Sequence, residues 1–410
     1  MKILHTADWH LGKKLEGFLR LQEQEEIMQE IQAIADQEEV DVVLIAGDLF
    51  DHFSPSNEAQ DLFFRSLKNL TLDGKRAVVA IAGNHDSPDL LKAPNPLARA
   101  CGIIVAAYPH EEVTPFELPS GLSVRQTDKG FVSLKLPNYD YPLNLILTPF
   151  ANESRLKKYI STDGQEEDVF RHILTEHWQQ LADQYFEASS VNVLMAHLFM
   201  IQKGGKVPEE PEEEKPILRV GGTQAVFTEN LPQNHLQYVA LGHLHGYRNI
   251  GTEEMPVVYS SSPLAYSFSE ANQKKQVVVV DVEPGQKPKL KSIPIQGGKP
   301  LVRLKAKSVD EAVQQLQNHE NALVELTMIT PNYLSPEERK RLYEAHQNII
   351  TLIPQLVEEA IAAMENFDGQ VDTSQNIEPL FEAYFRYKKG QAPDEGLMEV
   401  FKEVLAHAER

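Results

Sequence analysis

The chain has 410 residues, of which 42% are hydrophobic and 24% charged, enough for two or three domains with a large core. Its formal net charge of −21 argues against a surface that binds nucleic acid along its whole length, although bound dications or a basic partner could offset the carboxylates locally. The single cysteine, Cys101, excludes an internal disulfide and a zinc site built from several thiolates. We expect a cytoplasmic protein, because no apolar run approaches the ~18 residues of a membrane span and no signal peptide is recognisable.

Strands and helices alternate through the first part of the chain. Apolar runs predict strands at Met1–Thr6, Val40–Ala46 and Ala77–Ile81, and amphipathic patterns predict helices at Phe18–Glu39 and Asn57–Leu70. This order is typical of parallel strands that are joined by right-handed crossovers.

The middle of the chain continues with short strands around one long helix. The helix is predicted at Ser154–Glu187, and strands are predicted at Ile103–Ala107, Phe131–Leu136, Asn144–Leu147, Val191–Ala196, Tyr238–Leu241, Val257–Ser260 and Gln276–Val282. Within Gln202–Lys215, the acidic run at 209–214 predicts a mobile loop. Two roles stay open for this loop: a solvated excursion, or a border of the site that repels misplaced phosphates.

The pair Lys299-Pro300 indicates a domain boundary. After it, strands at Leu301–Leu304 and Ala322–Met328 and helices at Val309–Leu316 and from about Ser335 predict a small α+β unit. The end of the chain, Pro379–His407, is predicted to form two helices of unusual apolar density. These helices either dock on their own domain or present an apolar face to another protein.

Five of the predicted strands are followed directly by side chains that bind metals. The seven candidate ligands are Asp8, His10, Asp48, Asn84, His197, His243 and His245. In an extended chain, residues two apart face the same way, so we expect Asp8 with His10, and His243 with His245, to point together. The set is typical of a site for two divalent metals at the carboxyl ends of strands. Mixed nitrogen and oxygen ligands suit Mn²⁺, Fe²⁺ or Zn²⁺, whereas Mg²⁺ sites use few histidines.

Three further polar residues lie next to these ligands. His85 follows Asn84 and is a candidate catalytic residue that protonates a departing alkoxide or steadies phosphoryl charge; it could instead be an eighth ligand or support one. Asp51 and His52 follow Asp48 within reach of the same edge, and their roles are open.

The motifs also support a family resemblance. Asp8-Trp9-His10, Gly47-Asp48, Gly83-Asn84-His85-Asp86, His197 and Gly242-His243-Leu244-His245 resemble, in this order, the five motifs of calcineurin-like metallophosphoesterases. The opening Met1–Gly12 and the stretch Ala46–Asp51 are similar to the SbcD family of bacterial nucleases, which is related to the Mre-type DNA-repair nucleases.

The resemblance implies an α/β fold, with a metallophosphoesterase-type two-sheet β-sandwich flanked by helices, a small α+β capping domain and a C-terminal helical element. The implied domains are a nuclease domain at 1–298, the capping domain at 299–373, and an element at 374–410 that binds the coiled-coil ATPase SbcC. The family also implies a homodimer within a heterotetramer-like complex that acts on the nucleoid.

The resemblance further implies a site with two metals and one catalytic histidine. One metal is held by Asp8, His10, Asp48 and His245, the second by Asp48, Asn84, His197 and His243, and His85 is catalytic. The metals are implied to be Mn²⁺, with Mg²⁺ as the alternative. Asp51 stands where some relatives carry a histidine.

The implied activity is that of a metal-dependent nuclease in DNA repair and recombination. It would act as a 3′-to-5′ exonuclease on double-stranded ends and as an endonuclease on hairpins. Two alternatives stay open: a phosphodiesterase or phosphatase for smaller substrates, or a DNA-end-binding scaffold with a silent site. The ligands cannot separate the nuclease from the small-substrate enzyme, but the extra domain and the apolar chain end favour the nuclease.

Overall fold

The computed structural model describes residues 1–156, 166–205 and 225–356, and the isolated positions 381, 385, 393, 397, 398 and 401. The chain divides into two units, Met1–Lys299 and Pro300–Arg410. The predicted acidic run at 209–214 and most of the predicted helical element at 374–410 lie outside the described residues. Among the residues described, no helix is long and apolar enough to cross a membrane.

The first unit is built mainly of strands. In chain order they are β1 (Lys2–Thr6), β2 (Lys14–Leu15), β3 (Phe18–Leu19), β4 (Val42–Ala46), β5 (Ala77–Ile81), β6 (Ile103–Ala106), β7 (Ser123–Asp128), β8 (Phe131–Lys135), β9 (Leu143–Thr148), β10 (Val191–His197), β11 (Met200–Ile201), β12 (Val226–Phe227), β13 (Tyr238–Gly242), β14 (Arg248–Asn249), β15 (Val257–Tyr259), β16 (Gln276–Asp281) and β17 (Lys289–Pro294). Its helices are α1 (Leu21–Gln37), α2 (Asn57–Leu70), α3 (Pro88–Lys92), α4 (Asn95–Ala100), α5 (Glu153–Leu156) and α6 (Glu166–Tyr185).

Two sheets pack face to face in this unit. One has six strands in the order β17-β16-β1-β4-β5-β6, and the other has seven in the order β14-β15-β13-β10-β9-β8-β7. In the first sheet β1, β4, β5 and β6 are parallel, and in the second β9, β10, β13 and β15 are parallel. A buried apolar layer that includes Ile3, Val79 and Val193 fills the space between the sheets.

Helices cover the outer faces of both sheets. The apolar sides of α1 and α2, with Ile27 and Phe63 fully buried, pack in one core with residues of the six-stranded sheet. Helix α6 packs through Trp178 in a second core with residues of the seven-stranded sheet. These layers confirm the predicted two-sheet sandwich flanked by helices. Each sheet buries one apolar face against the other sheet and its other apolar face under helices.

The second unit contains one three-stranded parallel sheet in its described part. Its strands are β18 (Leu301–Ala306), β19 (Leu323–Thr330) and β20 (Ile349–Leu356), and its helices are α7 (Val309–Gln317) and α8 (Pro336–Ala345). Helix α8 begins with a capping box, in which the Ser335 side chain accepts from the Glu338 amide and the Glu338 side chain accepts from the Ser335 amide.

Several predicted bounds differ from the structure for local reasons. The predicted helix at Asn57–Leu70 is confirmed, but the predicted helix at Phe18–Glu39 begins only at Leu21, because Phe18–Leu19 pairs with Lys14–Leu15 in a hairpin. The strands β2, β3, β7, β11, β12, β14, β17 and β20 are absent from the predictions. The helix predicted from about Ser335 is observed at Pro336–Ala345. The run Ile349-Ile350-Thr351-Leu352-Ile353 in β20 is rich in β-branched residues, which favour a strand.

Candidate metal centre

The seven candidate ligands lie where strands of both sheets end. Asp8 and Asp48 follow β1 and β4 of the six-stranded sheet. In the seven-stranded sheet, His197 is the last residue of β10 and His243 follows β13. Hydrogen bonds join the two sheets here: His197 Nδ1 donates to the Ala46 carbonyl at 2.9 Å, and the His243 amide donates to Asp8 Oδ1 at 2.8 Å. The edges of two sheets therefore form one site.

The backbone around the first ligands is left-handed, which corrects the expected extended geometry. Asp8, His10 and Asp48 have φ values of 54°, 42° and 47°, and β1 already ends at Thr6. Asp8 and His10 therefore reach the site from a turn and not from one face of a strand. Aspartate tolerates this region better than most residues do, and strained backbone is common at functional sites.

Two glycines let the loops come close enough to form the site. A Cβ atom on Gly83 would lie 2.0 Å from Asp48 Oδ1, and one on Gly242 would lie 1.8 Å from the Ala46 carbonyl oxygen. Neither glycine has a positive φ, so close approach alone explains why a side chain is excluded.

One half of the site gathers around the Asn84 side-chain oxygen. Asn84 Oδ1 lies 2.8 Å from His197 Nε2 and 3.2 Å from His243 Nδ1. Asp48 Oδ2 lies 3.3 Å from the same His197 nitrogen. Because His197 Nδ1–H donates a hydrogen bond to a backbone carbonyl, Nε2 is the atom that faces these oxygens. In the neutral ring that atom carries the lone pair that could bind a metal.

The other half gathers around His10. Its Nε2 atom lies 3.1 Å from His245 Nε2 and 3.6 Å from Asp48 Oδ2. Asp8, His10 and Asp48 also offer ligand atoms within 4.8 Å of one another, as do Asp48, His197 and His243. Asp48 thus lies between the two halves, where one carboxylate could serve both.

The donor set fits divalent metal ions. Facing ring nitrogens, or a ring nitrogen facing an amide oxygen, repel each other unless a proton or a cation lies between them. Asp8 Oδ2 is buried and has no hydrogen-bond partner among the residues that the structure describes. A buried carboxylate oxygen without a partner is costly, and a dication removes that cost. All seven candidates are at least 92% buried, since Asn84, the most exposed, is 8% accessible.

Burial and mutual charge set the protonation of the metal-free site. Burial raises the pKa of Asp8 to about 6 and lowers the pKa of His10 to about 4. Burial alone would raise the pKa of Asp48, but the neighbouring histidines, chiefly His197, hold it well below its usual range. Burial would likewise lower the pKa of His197, but the negative charge of Asp48 outweighs it and raises that pKa to about 9.

His85 lies at the rim and is more accessible than the seven ligands. Its Nδ1 atom donates to the Asp51 carbonyl at 2.8 Å, and its backbone amide donates to Asp48 Oδ1 at 3.0 Å. The side chain is half-buried, and its ring centroid lies 4.8 Å from that of His10. His85 also forms a potential ligand group with His10 and Asp51. Its Nδ1 is already committed to a carbonyl, so the Nε2 atom is the one that can act.

The two residues of open role are now placed. Asp51 Oδ1 lies 3.0 Å from Lys13 Nζ and 3.7 Å from His10 Nδ1, so this carboxylate lies behind a candidate ligand. Burial opposes its ionisation, but contacts with His10 and Lys13 lower the pKa of Asp51 below its usual value. The His52 side chain is 79% exposed and pairs with Asp51 Oδ2 at 2.9 Å.

Four supporting residues received no role in the sequence analysis. The Asp86 carboxylate accepts from the Gly83, Leu49 and Phe50 amides, which holds two ligand loops together. Arg155 donates to the Gly83 and Asp86 carbonyls. Glu270 and Lys275 lie behind His245. Asp86 was visible within its motif, whereas the other three lie in segments with no local signal.

Comparisons with known proteins place this site in a family. Residues 1–247 match the model of the calcineurin-like phosphoesterases. The chain is 36% identical to the SbcD subunit of the SbcCD nuclease of Bacillus subtilis (strain 168), over 100% of this chain and 99% of the relative. It is 26% identical to the protein of the same name from Staphylococcus epidermidis (strain ATCC 12228 / FDA PCI 1200), over 99% and 97%.

A solved dimetal phosphatase from Danio rerio aligns with a TM-score of 0.36 and 11% identity, over 72% of this chain and 98% of the phosphatase. The match to the family model and the full-length identity to a curated relative are the findings that decide the assignment. The chain belongs to the calcineurin-like phosphoesterase family, within the group of SbcD proteins of SbcCD nucleases.

Proposed function

We propose that this chain is the nuclease subunit of an SbcCD-type complex and hydrolyses phosphodiester bonds of DNA with the help of divalent metals. The observation that carries the proposal is the convergence of seven buried oxygen and nitrogen donors beside the more accessible His85. The full-length similarity to the SbcD proteins of two SbcCD nucleases supports it. The proposed activities are 3′-to-5′ exonuclease action on double-stranded ends and endonuclease cleavage of hairpins.

The proposed metals are two Mn²⁺ ions, as the family resemblance implies, with Mg²⁺ as the alternative. Four of the seven donors are histidines, which favours Mn²⁺ over Mg²⁺. Asp8, His10, Asp48 and His245 would hold one ion, and Asp48, Asn84, His197 and His243 would hold the other. Bound at these positions, such ions supply a more acidic coordinated water and neutralise charge on a phosphoryl group. Two distances support this division: His10 Nε2 lies 3.1 Å from His245 Nε2, and Asn84 Oδ1 lies 2.8 Å from His197 Nε2.

We assign the catalytic role to His85. Its Nδ1 proton is held by the Asp51 carbonyl at 2.8 Å, which fixes the ring and directs Nε2 away from that contact. When protonated at Nε2, the ring donates to a phosphoryl oxygen or to the departing sugar oxygen, and general-acid catalysis of this kind contributes about 10²–10⁴-fold in rate.

The proposed partners are DNA and an SbcC-type coiled-coil ATPase, with two copies of each protein in the complex. A net charge of −21 leaves little basic surface of its own for long duplexes, so a partner that completes a DNA groove is consistent with the composition. We assign residues 1–298 to the nuclease domain, 299–373 to the capping domain and 374–410 to the ATPase-binding element. The proposed place of action is the cytoplasm, on the nucleoid.

A cleavage assay tests the proposal directly. The purified chain is stripped of metal, supplied with Mn²⁺ and offered an end-labelled duplex and a hairpin, with and without an SbcC-type ATPase and ATP. We expect cleavage that requires metal and increases with the partner. Hydrolysis of a generic phosphodiester dye with no action on DNA under any condition would replace the nuclease with a small-substrate phosphodiesterase or phosphatase.

A further inference from the structure

A buried ion pair lies directly behind the candidate ligand His245. Glu270 Oε1 accepts from His245 Nδ1 at 3.0 Å, and Glu270 Oε2 accepts from Lys275 Nζ at 2.5 Å. The two side chains are 1% and 8% exposed. Lys275 also donates to the His245 backbone carbonyl at 2.9 Å and to Ser262 Oγ at 2.8 Å. The pair therefore holds both the ring and the backbone of His245.

Stability alone does not account for this arrangement. Replacing a buried ion pair with well-packed apolar residues is often neutral or stabilising, because both charges lose their hydration on burial. Here each partner instead has a specific task at His245. Glu270 accepts a hydrogen bond from the His245 Nδ1–H, and Lys275 neutralises Glu270 while it donates to the His245 backbone carbonyl. With Nδ1 protonated, the neutral ring has its lone pair on Nε2, the atom that lies 3.1 Å from His10 Nε2.

The two halves of the site differ in how their histidines are oriented. His197 is oriented by the uncharged Ala46 carbonyl at 2.9 Å, whereas His245 is oriented by a carboxylate. A carboxylate partner raises the basicity of an imidazole ligand, and loss of such a partner typically weakens metal affinity by about 10–100-fold. The difference predicts that one metal position depends on the ion pair and the other does not.

We propose that Glu270 and Lys275 are positioning residues that fix His245 as an Nε2 donor and thereby set the affinity of one metal position, the one shared by Asp8, His10 and Asp48. The position formed by Asn84, His197 and His243 is independent of this pair. The inference rests on the proposed metal-dependent function, and it assigns different control to the two ions of the site.

Glutamine cannot replace Glu270 in this role. Both neighbours of Glu270, the His245 Nδ1–H and the Lys275 ammonium, are donors. A carboxylate accepts from each with a separate oxygen, whereas the amide of glutamine has one oxygen and one NH₂ group. In Glu270→Gln one donor must therefore face the NH₂ group, and either the ring or the lysine is released.

The test is Mn²⁺ binding measured by calorimetry and electron paramagnetic resonance on metal-stripped full-length protein. We expect two Mn²⁺ ions in the unchanged protein, with the spectrum of a coupled pair. In Glu270→Gln we expect one ion to bind about 10–100-fold more weakly and the other to keep its affinity, so that one equivalent of Mn²⁺ gives a mononuclear spectrum. Lys275→Arg, which retains the charge, should keep most of the binding.

Two further variants keep the test decisive. Glu23→Gln disrupts another buried ion pair, that between Arg20 and Glu23 at 2.7 Å, and should lower the melting temperature without changing either Mn²⁺ affinity. If Glu270→Gln fails to fold, the double variant Glu270→Leu/Lys275→Met removes both charges without leaving one buried alone, and should show the same loss of one ion.

The outcomes separate this inference from the proposed function. Equal weakening of both ions, or no weakening of either, overturns the positioning role even if the protein cleaves DNA. If the unchanged protein binds two Mn²⁺ ions but never cleaves DNA, and Glu270→Gln selectively loses one ion, the positioning role is supported and the nuclease proposal is overturned.

Discussion

At the scale of single residues, His197 shows how the metal-free site is held together. Asp48 raises the pKa of buried His197 to about 9, although burial opposes this. Because this pKa lies above the ordinary value of 6.5, the protonated ring stabilises the metal-free fold fully below pH 6.5, and the contribution is lost as the pH rises through 9. A bound metal ion instead requires the neutral ring.

We therefore expect the melting temperature of the metal-free protein to fall between pH 6.5 and pH 9, and that of the Mn²⁺-loaded protein to lack this fall. Thermal unfolding with a chelator and with Mn²⁺ across this range measures both. His172→Gln is the control and should leave both results unchanged, since this histidine is 69% exposed and lies on α6, away from the candidate ligands. An equal fall in the loaded protein would count against the binding of His197 to metal.

The His85 side chain leads to a prediction about catalysis. In His85→Gln we expect Mn²⁺ content to stay at its original level, because the seven ligands are unchanged, and DNA cleavage to fall by about 10²–10⁴-fold, the usual contribution of a general acid. Metal analysis and a gel assay on the same preparation measure the two effects. Parallel loss of metal and cleavage would make His85 a ligand instead.

At the scale of elements, the turns that follow the strands determine the geometry of the candidate metal site. Gly83 follows β5, and its missing side chain makes room for Asp48, whose Oδ1 atom would lie 2.0 Å from a Cβ atom. Asp48 itself follows β4 in a left-handed conformation. The turns after these two neighbouring strands of one sheet therefore leave no space for even one methyl group at Gly83.

We expect Gly83→Ala to lose Mn²⁺ binding and to lower stability by about 1–3 kcal/mol, the usual cost of overpacking, because the Asp48 carboxylate must move. Gly246→Ala, one residue after His245, is the matched control, since a Cβ atom there meets Gln273 only at 3.7 Å. Calorimetric Mn²⁺ titration and urea unfolding compare the two. Normal Mn²⁺ binding by Gly83→Ala would show that the loop accommodates the methyl group.

At the scale of the whole molecule, the chain end leads to a prediction about assembly. Two of its described residues, Phe381 and Phe401, stack with ring centroids 3.8 Å apart and an interplanar angle of 9°. Aromatic side chains are enriched where proteins bind partners.

We expect deletion of the residues after Ser374 to abolish co-purification with an SbcC-type ATPase while Mn²⁺ content stays normal. The physical reason is that the metal ligands all lie in the first unit, Met1–Lys299. Phe381→Ser in the full chain should weaken the complex in the same direction. A truncated chain that still co-purifies with the ATPase would remove this segment from the interface.

The sequence by itself determined the alternation of strands and helices and which residue types follow each strand, whereas the two-sheet class of the fold was implied by the family resemblance of its motifs. These features depend on local periodicity and on short motifs, so they can be read without the tertiary structure. The helix at Asn57–Leu70 and the candidates Asp8, Asp48, Asn84 and His197 were found in this way.

Only the tertiary structure decided how these residues meet. Contacts such as His245 with Glu270, 25 residues away, and His197 with Ala46, 151 residues away, leave no periodic trace in the chain. The left-handed turns at Asp8 and His10 were also hidden, because sequence patterns favour an extended reading of alternating ligands. Side-chain direction and close approach arise from long-range packing of the two sheets, and this packing decides which nitrogen of each histidine faces the site.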